Sequence, residues 1–127
     1  MVKEAYCNYE MSMLLKEKGF NEYCSGYYKF DKSLGILSKA VINNSALDDD
    51  GIDISAPTLQ MAMKWLREEH KIHIEVEVYF CEDGQSWLSK IQRIDDGKTT
   101  LLKTCLPNTT YEEAVEAAIK HVLENLI

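Results

Sequence analysis

The chain has 127 residues, 46% of them hydrophobic and 28% charged, with a formal net charge of −7. That length suits one domain, residues 1–127, able to bury about two-thirds of its unfolded surface, and the composition argues against disorder. The acidic balance argues against nucleic-acid binding, which needs a basic patch to displace counterions from phosphate.

The opening residues, MVKEAYCNYEM, contain no apolar core of a secretory signal. No apolar run approaches the roughly 20 residues of a membrane helix. The expectation is a cytoplasmic protein with no membrane partner. In that compartment Cys7, Cys24, Cys81 and Cys105 read as reduced thiols rather than a disulfide framework.

Asn8 to Lys18 reads as a first helix. Asn8 is placed to cap it, and Glu10 falls in the first turn, near the positive end of the dipole. Tyr9 and Met13 define an apolar stripe that Met11, Leu14 and Leu15 widen. Gly19 suits the left-handed residue after the helix, with Phe20 folding back onto Leu15. From Asn21 to Asp53 the pattern is weaker. Tyr27, Tyr28 and Phe30, then Ile36, Leu37, Val41 and Ile42, suggest a hairpin around a turn at 31–35. Residues 43–51, NNSALDDDG, read as a polar loop.

Ser55 is expected to open a second helix, with Pro57 at or near its first position. Leu59, Met63 and Leu66 form one stripe, and Met61 with Trp65 a second. So wide an apolar arc implies burial on more than one side, or a partner. Ile72, Ile74, Val76, Val78 and Phe80 then alternate with His73, Glu75, Glu77 and Tyr79, the pattern of a strand with one buried and one wetter face. Residues 87–94 and 99–104 read as two further strands joined at Asp95-Asp96-Gly97. Pro107 is expected to end the sheet. Thr110 and Glu113 form a capping box for a last helix buried along Tyr111, Val115, Ala118, Ile119, Val122 and Leu126, with Glu116 and Lys120 paired outside. The fold expected is α+β, two-layered, with three helices and a mostly antiparallel sheet of about 3–5 strands.

Chemistry is harder to place. The glycine spacing matches neither dinucleotide nor P-loop signatures, and the serine-hydrolase and zinc-protease motifs are missing. The segment 48–53, DDDGID, fails as a calcium loop: with Gly51 at its sixth position, the twelfth is Pro57, where a bidentate Glu is required. His70 and His73 could ligate a metal only with a third ligand from Glu75, Cys81 or Cys105. His70 ends a helix and His73 begins a strand, so no shared element fixes their directions. The plainer reading is a cationic His70 at a helix C-terminus and an exposed His73. A nucleophilic cysteine needs a base and an orienting group, and no local signature supplies them. The balance leans away from catalysis, and no cofactor is expected. Met61, Trp65 and Tyr79 remain as candidate partner-binding residues, since tryptophan gives large contact area and methionine adapts to varied surfaces.

Three segments, MLLKEKGFNEYC, SAPTLQMAMKWLREEHKIHIEV and YEEAVEAAIKHVLENLI, resemble recurrent stretches of small uncharacterised proteins of phages and prophages from gut anaerobic bacteria. They cover a little under half the chain. The resemblance implies a phage-type accessory role in a bacterial cytosol and carries over no site residues. The function expected is therefore non-enzymatic, through binding another protein or through self-association. Two alternatives stand beside it. One is a metal-dependent or cysteine enzyme using His70 and His73. The other is an acidic inhibitor that imitates nucleic acid.

Overall fold

The structure, a computed structural model, describes residues 2–45 and 54–127. Among these residues three helices and two antiparallel three-stranded sheets make an α+β fold, as expected. The order is α1 (Tyr9–Glu17), β1 (Gly26–Tyr28), β2 (Leu34–Ile36), β3 (Ile54–Ala56), α2 (Leu59–His70), β4 (Ile72–Cys81), β5 (Gly84–Asp95), β6 (Lys98–Asn108) and α3 (Tyr111–Asn125). The chain groups into two compact units, Met1–Met61 and Ala62–Ile127.

In the first unit, Asn8 caps α1 by accepting a hydrogen bond from the Met11 amide at 2.8 Å. The other end closes as a Schellman motif. Gly19 adopts φ +93°, its N–H donates to the Lys16 carbonyl, and the Phe20 N–H donates to the Leu15 carbonyl. Phe20 and Leu15 are both fully buried. The buried face is Met11, Ser12 and Leu15; of the expected stripe Met11 and Leu15 are buried and Tyr9 is partly so, whereas Met13 is exposed.

β1 and β2 form the expected hairpin, turned by Asp31, whose carboxylate accepts from the Ser33 amide and hydroxyl. Val41 and Ile42 lie outside its strands, and Ile42 makes an isolated bridge to Cys24. Ile54–Ala56 forms a third strand on the far side of β1. This corrects the expected helix start at Ser55. α2 begins at Leu59, where the Thr58 hydroxyl accepts from the Met61 amide at 3.1 Å. Two requirements competed here: Pro57 suits a first helical turn, but the fully buried run Ile54–Ala56 satisfies its backbone against β1. Tyr28 seals this core, donating from its hydroxyl to the Cys7 carbonyl at 2.7 Å and meeting Tyr9 edge-to-face.

In the second unit, β4, β5 and β6 run as a meander in that order. Gly84, at φ +114°, ends the first turn, and Gly97, at φ +76°, sits in the second. β6 continues through Pro107 to Asn108 rather than stopping before it; as an outer strand it can accommodate a residue without an N–H. α3 packs against all three strands. It is capped by Thr110, and Glu113 reaches back to Thr109. Its buried face is Ala114, Val115, Ala118, Ile119, Val122 and Leu123; Leu126 is only half-buried. The outer ion pair is Lys120–Glu124 at 4.0 Å. Glu116 lies partly buried near Glu112 and Glu113, and burial and those two charges push its carboxyl up.

Candidate interaction surface

Strand geometry sends alternate side chains of β4 to opposite faces. One face carries Ile72, Ile74, Val76, Val78 and Phe80, set opposite Arg93, Ile91, Ser89, Trp87 and Gln85 of β5. Its burial is graded. Ile72 and Ile74 are 2% and 3% exposed, whereas Val78 is 45% and Phe80 76% exposed. The expectation of a uniformly buried face therefore holds at one end and fails at the other.

The reason is length. α3 has 15 residues, about 22 Å at the helical rise, while the 12 residues of β5 extend about 40 Å. A single helix cannot cover strands of that length. Its first residue, Tyr111, meets Trp87 edge-to-face at 5.8 Å between ring centroids. Val78 lies opposite Trp87, and Phe80 one step further toward the hairpin tip. The end of α3 is therefore where the apolar face becomes uncovered. Comparing the two lengths in the sequence gives the signal for Val78 and Phe80, whereas alternation alone assigns them to the core.

The opposite face of β4 holds His73, Glu75, Glu77 and Tyr79, all half-buried. Lys90 lies opposite Glu75 and bonds diagonally to Glu77 at 3.1 Å. Tyr79, opposite Ser86, is about 20 Å along the strand from His73.

The other candidates are spread through the fold. Trp65 is 6% exposed and packs edge-on against His70, with ring centroids 4.8 Å apart. Met61, one helical turn before it, is 36% exposed and lines a shallow, mainly apolar cavity of about 90 Å³ with Tyr6, Tyr23, Cys24 and Pro57. His73 pairs with Gln92, and Cys81 faces Gly84 at the hairpin tip, about 26 Å along the same strand. Cys105 pairs with Ser89, on the face opposite His73. Among the described residues no three His, Cys, Asp or Glu side chains gather to hold a metal ion. The acidic segment 48–53 lies outside the described residues.

Cys24 is poorly suited to nucleophilic chemistry. It is 5% exposed, and burial pushes its thiol up to about 11, with the Ser55 hydroxyl lowering it and the Glu22 carboxylate adding to the rise. The thiol stays protonated at neutral pH, and only a thiolate attacks. No helix among the described residues is long and apolar enough to cross a membrane. Comparison with protein-family models, curated proteins and solved structures finds no match to this chain.

Proposed function

We propose that this protein works by protein–protein association, and that the uncovered end of the β4–β5 face, Val78 and Phe80, is its contact surface. The single observation that carries this reading is the gradient along β4, from Ile72 at 2% to Phe80 at 76% exposure on one face. A phenylalanine exposed to that degree beside a half-exposed valine forms an apolar patch that none of the described residues covers, and such patches mark interaction sites. The segmental resemblance to small phage and prophage proteins supports an accessory role in a bacterial cytosol.

The test is the double variant Val78→Lys/Phe80→Lys. If both side chains serve a surface, the variant keeps its circular dichroism spectrum and loses about 1 kcal/mol or less per site, while binding of an apolar dye drops. If the variant unfolds, the two side chains belong to the core and the reading is wrong.

A further inference from the structure

The two outer strands of the β4-β5-β6 sheet are built differently. β6 is interrupted by two register shifts against β5 and carries Lys98, Lys103 and Pro107. Bulges, lysines and proline are the devices by which sheets stop a further strand from adding to an edge. β4 has no bulge, lysine or proline, and its only charged residues are Glu75 and Glu77. Its register with β5 runs unbroken over ten residue pairs, from Ile72–Arg93 to Cys81–Gly84, and its sequence IHIEVEVYFC contains no lysine, proline or glycine. Among the described residues it pairs on one side only. An edge of this kind presents a regular row of backbone donors and acceptors to an incoming strand.

We infer that β4 pairs antiparallel with β4 of a second copy, joining two three-stranded sheets into one of six strands. The inference rests on the association reading above and names the partner. The gradient of cover along β4 is what points to a second copy. A two-fold axis perpendicular to the sheet keeps both α3 helices on one side and pairs residues of the same face. Centred on Val76, it sets Phe80 opposite the partner's Ile72 and Val78 opposite the partner's Ile74. Each uncovered half-strand then lies beside a half-strand that a helix already covers, and one operation answers both exposed side chains.

The opposite face sets the cost. The same register places Glu75 opposite the partner's Glu77, a like-charge pair, and each copy carries a net charge of −7. Lys90, opposite Glu75 and bonded to Glu77, offsets part of this repulsion. Pairing therefore strengthens as salt screens the remainder.

Hydrogen exchange of the full untagged chain, read by mass spectrometry at low and high protein concentration, tests the inference. The expected result is slower exchange over residues 72–81 at high concentration, enhanced by salt, with residues 98–108 unchanged. Val78→Lys, at a half-exposed position, should abolish the concentration dependence and leave the fold intact. Exchange that ignores concentration, in a chain whose lysine variants still fold, overturns the second copy as partner but leaves the apolar surface standing. Concentration-dependent protection confined to β6 or to residues 2–45 overturns the β4 pairing. Protection that grows at low salt would mean that the copies meet through unlike charges rather than across Glu75 and Glu77, and overturns the pairing as well. Unfolding of Phe80→Lys removes the association reading itself.

Discussion

Ile74 and Phe80 share one face of one strand, six residues and about 20 Å apart. Truncating each to alanine should give very different costs. Ile74 is 3% exposed and lies opposite the fully buried Ile91, so Ile74→Ala removes well-packed methylenes and leaves a cavity, at about 2–5 kcal/mol. Phe80 is 76% exposed, which leaves 24% covered. A phenylalanine side chain offers about 200 Å². About 50 Å² is therefore shielded, worth about 1.2 kcal/mol at 25 cal/mol/Å² and less against a compact unfolded chain. Urea denaturation of the two variants beside the parent, fitted with a common slope, measures the difference. A gap of at least about 1 kcal/mol is expected, with Ile74→Ala the weaker protein. Equal costs would mean that Phe80 is packed as a core residue and that the β4 face is covered as far as the hairpin tip.

Other outcomes follow from the first unit. Gly26→Ala should destabilise it by about 1–3 kcal/mol in the same urea assay, because an added Cβ would fall 2.5 Å from the Ala56 carbonyl oxygen and 2.9 Å from the Tyr6 ring; a neutral result would show that the β1–β3 seam can open. Thiol labelling of the native protein should modify the exposed Cys81 first, while Cys7 and Cys24, at 0% and 5% exposure, should react only on unfolding; early labelling of Cys24 contradicts its burial. The same thiol predicts a pH dependence. Its ordinary value is 9.0 and burial raises it to about 11. Between those values the unfolded chain releases a proton that the folded chain keeps, so stability is full below pH 9 and falls as pH rises toward 11, by roughly 2–3 kcal/mol at most. Cys24→Ala should flatten that part of the curve in denaturation midpoints taken across the range, and an unchanged slope would assign the fall to other groups.

What the sequence made legible was local and periodic. The Asn8 cap, the Gly19–Phe20 stop, the Thr110 cap and the alternation of β4 are each written within a few residues, and all appear in the structure. What it hid depended on distant partners. Ile54–Ala56 becomes a strand because β1 offers it hydrogen bonds, and a three-residue stretch before a proline carries no period to announce that. In α1 the expected Met11 and Leu15 are buried, but Met13 is exposed and Ser12 takes a buried place that the pattern does not show, because a serine does not mark an apolar face. Trp65, read as part of a second apolar stripe with Met61, is 6% exposed. Val78 and Phe80 were the reverse case: alternation gave their face correctly, but burial depended on how far α3 extends. Elements were thus easier to read than surfaces, because a surface is defined by where neighbouring elements end.

Sedimentation velocity of the untagged, reduced protein over a range of concentrations, beside the Val78→Lys/Phe80→Lys variant, is the most direct test that the open end of β4 is a contact surface. The parent protein should shift from monomer to dimer with rising concentration and further with salt, while an equally folded variant stays monomeric. A variant that dimerises as well as the parent would contradict the contact surface itself, and a parent protein that remains monomeric throughout would contradict the second copy as its partner.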